Sequence, residues 1–247
     1  MKRAIELARN AWGKTHPNPM VAAVTVKDGK IIGEGFHKKD GDLHAERNAL
    51  NSLKESAAGA EMYVSLEPCS TKGRTGACTD AIIASGIKKV FIGALDPNPA
   101  HAGRAVEILK NAGIECVCGI LPKECADLNI IFNSSIVSKT AMLAIKFAQT
   151  KNGKIAEHKG KPSPITSASA RAHLMRYREL FPAIAAGFGT LISDNPSLTI
   201  RDEIGERSNF RFLLDRSLNC AELNLSSFRL FSDKFSEKTT VVCDAEA

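Results

Sequence analysis

The chain has 247 residues, 44% of them hydrophobic, which is enough for one large domain or two ordinary ones with a sizeable core. Its 33 lysines and arginines against 27 acids leave a net charge of +6. The cations are dispersed among acids, so the balance argues for a solvated surface and against a nucleic-acid partner, while two or three of them suffice to hold a phosphorylated small molecule. Seven cysteines are too sparse for a disulfide scaffold, and no apolar run approaches membrane-spanning length.

Met1 to Ala8 reads as the start of an amphipathic helix with charges inside it, not as a signal peptide, and the expected location is the cytoplasm. Val21 to Val26 and Lys30 to Glu34 read as strands joined by the hairpin turn Asp28-Gly29. Ala45 to Leu53 is predicted helical, Met62 to Leu66 a strand, Thr79 to Ser85 a helix and Val90 to Leu95 a strand. Arg104 to Asn111 is predicted as a helix closed by Gly113, followed by a strand at Ile114 to Val117. Alternation of this kind predicts an α/β domain with helices on both faces of one sheet. A helical segment from Lys123 to about Ser138 closes this domain, taken as residues 1–139.

A second domain, residues 140–247, is predicted to open with a strand at Met142 to Ala148 and a turn at Asn152-Gly153. A helix at Ser167 to Glu179 follows, then strands at Ala183 to Gly187, Phe210 to Asp215 and Thr239 to Cys243.

The chemistry concentrates in His44-Ala45-Glu46, followed twenty-one residues later by Pro68-Cys69 and, after eight more, by Cys78. One imidazole and two thiolates are soft zinc ligands, and three protein ligands leave the open position of a catalytic zinc site. A structural zinc wants a fourth protein ligand, and none stands near these motifs. Zinc in such a site supplies a nucleophile from water at neutral pH, and Glu46 beside the first ligand is the natural proton carrier. Positions i and i+2 do not share a face of an ideal helix, so Glu46 reaches the metal only if His44 lies in an irregular first turn. Cys116, Cys118 and Cys125 form a weaker cluster: alternation puts the first two on one face, where buried free thiols are common.

The His-Ala-Glu and Pro-Cys pattern is similar to that of the zinc nucleobase deaminases. A longer series resembles the bifunctional deaminase–reductase of riboflavin biosynthesis. It runs through Thr15-His16-Pro17-Asn18-Pro19, Gly35-Phe36-His37, His44-Ala45-Glu46 and Leu66-Glu67-Pro68-Cys69-Ser70. It continues with Gly73-Arg74-Thr75, Cys78, Asp96-Pro97-Asn98-Pro99 and Ala102-Gly103-Arg104. The eight-residue interval between the cysteines fits this branch better than deaminases with a tight C-x-x-C. In the second half, Lys146-Phe147-Ala148, Asn152-Gly153-Lys154, Ile165-Thr166, Gly187-Phe188-Gly189-Thr190, Asp194-Asn195-Pro196, Leu198-Thr199, Arg201 and Leu214-Asp215 resemble the start of that family's reductase domain.

The resemblance implies a cytidine-deaminase-like three-layer domain followed by part of a dihydrofolate-reductase-like α/β domain. The implied reactions are zinc-dependent deamination of 2,5-diamino-6-ribosylamino-4(3H)-pyrimidinone 5′-phosphate and NADPH-dependent reduction of the product's ribosyl group. It assigns Glu46 as catalytic; His44, Cys69 and Cys78 to zinc; and Asn18, His37 and Arg74 to the deaminase substrate. Lys146, Arg178, Leu198 and Arg201 are assigned to the reductase substrate, and Ala148, Thr190 and Asp194 to the cofactor. On the residues alone Asn18 equally caps a turn, His37 is equally a surface histidine, and Asp194-Asn195-Pro196 is an ordinary turn.

Departures from the family are Asn152 for its usual Asp, Thr71 for a usual His, Gly76-Ala77 for a usual Pro-Pro, and Pro162-Ser163-Pro164 in place of a Ser-x-Trp segment. The family's late acidic residue and glycine-rich NADPH segment are not found before Ala247, so the reductase domain is expected to be incomplete here. The partners expected are small molecules, with no nucleic acid and no membrane; a homo-oligomer is compatible with the sequence. Two other readings stay open, a deaminase of another nucleobase and a non-catalytic zinc-binding subunit with a decayed reductase half.

Overall fold

The computed structural model describes residues 1–71, 76–158, 163 and 165–245. Gly73, Arg74, Thr75, Pro162 and Pro164 therefore lie outside the described residues. The chain divides into two compact units, Met1–Leu143 and Ala144–Ala247. No helix among the described residues is long and apolar enough to cross a membrane.

The first unit is built on a five-stranded sheet in the order β2-β1-β3-β4-β5. Its strands are β1 (Ala22–Lys27), β2 (Lys30–Phe36), β3 (Glu61–Leu66), β4 (Lys89–Ala94) and β5 (Glu115–Cys118). The β1–β2 hairpin turns at Asp28-Gly29, both with positive φ, as the Asp-Gly pair requires. β3 pairs antiparallel to β1 and parallel to β4, and β4 pairs parallel to β5.

Alternate residues of the central strands face opposite layers. Met62, Val64, Val90 and Ile92 are buried in one cluster with Ala45 and Ala49 of α2 (Ala45–Asn51), Ile82 of α3 (Cys78–Ala84) and Leu109 of α4 (Arg104–Asn111). On the other face α1 (Lys2–Ala8) packs on β1 and α5 (Pro122–Asp127) on β4, where Cys125 presses on Gly93. The three-layer expectation therefore holds.

Two glycines set how closely α2 lies on β2. A Cβ on Gly33 would stand 2.6 Å from the carbonyl oxygen of Ala49, and one on Gly35 would meet the Ala49 nitrogen and lie 2.5 Å from the Asn48 carbonyl carbon. Only glycine permits that approach.

The single helix expected from Lys123 to about Ser138 is two helices, α5 and α6 (Ile130–Ser138). The break falls at Asn129, whose buried amide accepts from Met20 N at 2.7 Å and donates to Met20 O at 2.9 Å, tying the chain to the start of β1. Alternation of Cys116 and Cys118 suggested shared burial, yet Cys118 is exposed because β5 is the edge strand.

The second unit holds a parallel three-stranded sheet in the order β10-β9-β6, from β6 (Ala183–Gly187), β9 (Phe210–Leu214) and β10 (Thr239–Val242). α7 (Ala168–Leu180) precedes it, capped by the Ser167 hydroxyl accepting from Ala170 N at 3.2 Å. Helix α8 (Phe188–Asp194), the short strands β7 (Ile200–Asp202) and β8 (Gly205–Arg207), and α9 (Arg229–Ser232) were not signalled by sequence periodicity.

The strand expected at Met142 to Ala148 does not form. Its apolar residues Leu143, Ile145 and Phe147 are exposed, and no described strand pairs with them. The pattern is strand-like, but a strand exists only with a partner. The core of this unit gathers Leu191, Leu198, Leu213, Cys220 and Leu230, with the fully buried Arg211 beside Leu230.

Candidate active site

β3 delivers the chain through Glu67 and Pro68 to Cys69, and Cys78 opens α3. The amide of Cys78 donates to the carbonyl oxygen of Cys69 at 3.0 Å and to its Sγ at 3.3 Å, and Thr79 N donates to the same carbonyl at 3.2 Å. The first amides of a helix have no intrahelical acceptor, so Cys69 takes the place of a cap.

His44 is the N-cap of α2, with φ −68° and ψ 163°. It is extended, outside the helix, while Glu46 lies inside the first turn; this is the irregular start that lets residues two apart reach one centre. His44 Nδ1 is 3.5 Å from Cys78 Sγ, and the ligand atoms of His44, Cys69 and Cys78 all lie within 4.8 Å of one another. A tetrahedral zinc with ordinary Zn–N and Zn–S bonds separates such atoms by roughly 3.6 Å, so the three residues fit the ion.

The three residues differ in how firmly they hold their protons. A hydrogen bond from Cys78, helped by His44, brings the Cys69 thiol down to about 4 against the opposing effect of burial. Cys78 moves the other way, because its hydrogen bond to Cys69 and its burial hold the proton on it. His44 is raised, first by its hydrogen bond to Cys69. Glu46 is 3% exposed and its carboxyl is pushed up to about 7, by burial first and then by the negative charge of Cys69.

Beside this cluster, His37 is buried with its ring edge-on to that of His44 at a centroid distance of 5.5 Å. It is therefore not the surface residue that isolated sequence reasoning allows. Its Nδ1 lies 3.1 Å from the carbonyl oxygen of Leu43, and Asn18 Nδ2 lies 3.4 Å from its Nε2. Asn18 Nδ2 also donates to Asp40 Oδ1 at 2.9 Å. The sequence reading gave Asp40 no role, because an acid beside Lys38, Lys39 and Asp42 carries no local signal.

Glu67 was seen within a motif but given no role. Its buried carboxylate accepts from Asp96 N at 3.1 Å, Gly103 N at 2.9 Å and Ala105 N at 3.0 Å, holding the segment that leads into α4. Arg74 lies outside the described residues.

In the second unit Arg178 Nη1 donates to Thr199 O at 2.7 Å, and burial together with the nearby charge of Arg201 lowers its pKa. Leu198 is buried with φ +53° immediately before Thr199. Arg178, Leu198 and Arg201 thus share one region. Thr190 and Asp194 are exposed on α8, where Asp194 accepts from Ser193 Oγ at 2.7 Å. Lys146 is exposed and Ala148 half-buried in the extended segment that does not pair.

Residues 1–94 match the cytidine and deoxycytidylate deaminase zinc-binding region, and residues 141–246 match the RibD C-terminal domain. The riboflavin biosynthesis protein RibD of Actinobacillus pleuropneumoniae is 49% identical over 201 residues, covering 81% of this chain and 54% of that protein. Its counterpart from Aquifex aeolicus is 47% identical over 220 residues, covering 88% of this chain and 61% of that protein. The chain thus spans 54–61% of the length of these two curated relatives. A crystal structure of the diaminohydroxyphosphoribosylaminopyrimidine deaminase/5-amino-6-(5-phosphoribosylamino)uracil reductase from Thermotoga maritima is 43% identical, with a TM-score of 0.88 over 100% of this chain and 70% of that one. With a zinc centre in its first unit, the RibD C-terminal domain in its second and this likeness along its whole length, the chain belongs to the family of bifunctional riboflavin-biosynthesis deaminase–reductases.

Proposed function

We propose that residues 1–139 form a deaminase domain that hydrolyses 2,5-diamino-6-ribosylamino-4(3H)-pyrimidinone 5′-phosphate to 5-amino-6-(5-phosphoribosylamino)uracil and ammonia. The observation that carries this reading is the His44–Cys69–Cys78 cluster with the buried Glu46 carboxyl against it. Zinc held by those three residues would supply a nucleophile from water at neutral pH. Glu46, buried against the ligand residues, would take the water's proton and deliver it to the ring nitrogen and then to the departing amine. Asn18 and His37 hold the polar edge of the pyrimidinone, and Arg74 grips the phosphate by its two-pronged guanidinium.

Residues 140–247 supply part of the reductase domain. Arg178 and Arg201 are near enough for mutual repulsion, which an anionic ribosyl phosphate relieves, and Lys146 and Leu198 complete that substrate set. Thr190, Asp194 and Ala148 would hold NADPH in the complete domain. In a complete reductase domain NADPH would supply the hydride that reduces the ribosyl group to ribityl.

All seven cysteines are free, which suits work in the reducing cytoplasm. The test is ammonia release by the zinc-loaded chain from the phosphorylated diaminopyrimidinone, with cytidine and adenosine as controls. Release from the pyrimidinone alone is expected. Release from either nucleoside in preference to it overturns the substrate assignment.

A further inference from the structure

We propose that Asp40 is a positioning residue that fixes which end of the Asn18 amide faces the substrate. The inference rests on the deaminase reading above and deepens it.

The argument is one of donors and acceptors. The carbonyl of Leu43 can only accept, so His37 Nδ1, 3.1 Å away, carries a proton. In the neutral imidazole that leaves Nε2 as an acceptor. The Asn18 side chain therefore faces two acceptors at once, His37 Nε2 at 3.4 Å and Asp40 Oδ1 at 2.9 Å. Only its NH₂ end satisfies both, and the carboxylate bond, being charge-assisted, is the stronger. With Nδ2 committed, the amide's remaining group is its carbonyl oxygen, which has no hydrogen-bond donor among the described residues.

A site two steps from His44, through the edge-on His37 ring, thus presents an acceptor and selects a substrate N–H, as an aminopyrimidinone carries. Without Asp40 the amide can flip, and each flipped molecule presents a donor to a donor. The apparent affinity then falls by the fraction of molecules still correctly turned.

Asp40→Asn tests orientation and leaves shape nearly unchanged. An asparagine offers both a donor and an acceptor to Asn18, so either amide orientation is satisfied. Asp40→Glu keeps an acceptor-only group. In the zinc-loaded full chain labelled with ¹⁵N-asparagine, the Asn18 side-chain NH₂ signals, assigned by their loss in Asn18→Ser, are expected to shift in Asp40→Asn. In ammonia-release kinetics KM is expected to rise by up to about twofold, the limit when half the molecules are correctly turned, with kcat changed by less than that, and Asp40→Glu to stay closer to wild type. A merely structural aspartate would tolerate the isosteric Asn at least as well as the longer Glu. Unchanged Asn18 signals in Asp40→Asn, or equal KM for the two variants, overturn the proposal. A wild-type chain that holds zinc yet releases no ammonia removes the deaminase reading instead, and the NH₂ signals then decide the orientation by themselves.

Discussion

Cys78 Sγ lies 3.5 Å from His44 Nδ1 although the two residues stand 34 apart in the chain. One opens α3 and the other caps α2, so the cluster depends on two helix starts held against a common sheet. Removing either ligand leaves two atoms that cannot hold zinc in the same way. For Cys78→Ala the expected outcome is a zinc content reduced at least tenfold in the purified chain, by elemental analysis after dialysis against a weak chelator. Full occupancy in that variant would take Cys78 out of the ligand set.

Glu46→Gln keeps the shape and loses the ability to carry a proton. Zinc content is expected to stay at the wild-type level, while ammonia release falls on the order of 10²- to 10⁴-fold. Parallel metal analysis and activity separate this from damage to the cluster. Wild-type turnover by the variant would remove Glu46 from proton transfer.

Gly35→Ala tests the packing beneath the site. The added Cβ would collide with the backbone of Asn48 and Ala49, which has no flexible end to move aside. The loss expected is about 3 kcal/mol or more in urea unfolding, a severe case of overpacking. Trp12, the one tryptophan, lies in the same unit and reports the transition. Because α2 carries Glu46 and is capped by His44, zinc content should fall with stability. An unchanged midpoint would mean that α2 does not press on β2 as described.

Asp233→Ala tests the second unit. The guanidinium of Arg211 is wholly buried and donates to both Asp233 oxygens, at 2.6 and 2.9 Å, and to the carbonyls of Ser197, Leu230 and Phe235. Removing the carboxylate leaves that charge buried without its counterion, at a cost of about 3 kcal/mol. Burial tends to raise the Asp233 carboxyl, but hydrogen bonds and charge led by Arg211 hold it below its ordinary 3.8. A lowered carboxyl contributes stability that is full above its unfolded value and lost as pH falls through the folded one. Protection factors for hydrogen exchange at the β6 and β9 amides of the whole chain, corrected for the intrinsic pH dependence, should therefore fall on acidification below about pH 4 in wild type, and less so in the variant. Equal protection of the two proteins at neutral pH would contradict the role given to the pair.

Much of this was legible in the residues. His44, Glu46, Cys69 and Cys78 were found by type and spacing, because metal coordination demands particular atoms and a strand-to-helix turn restricts where they can sit. Arg104–Asn111 and Ala183–Gly187 were bounded as found, since apolar periodicity and glycine punctuation mark both. What escaped was whatever depends on a distant partner. The strand pattern of Met142 to Ala148 has no strand beside it among the described residues, and the break at Asn129 answers to Met20, 109 residues away. Asp40 acquires meaning only from Asn18, and Arg211 only from Asp233.

The position of β3 in the middle of its sheet bears on when the metal centre comes into being during folding. The β1–β2 hairpin and the Cys69–Cys78 turn close over short stretches of chain and can form early. His44 travels with α2 on the hairpin, whereas Cys69 travels with β3, and the two are brought together only when β3 docks between β1 and β4. Three-ligand capture of zinc is therefore expected to wait on that docking, and the rate at which a refolding chain takes up the ion should then follow the closure of the central strand.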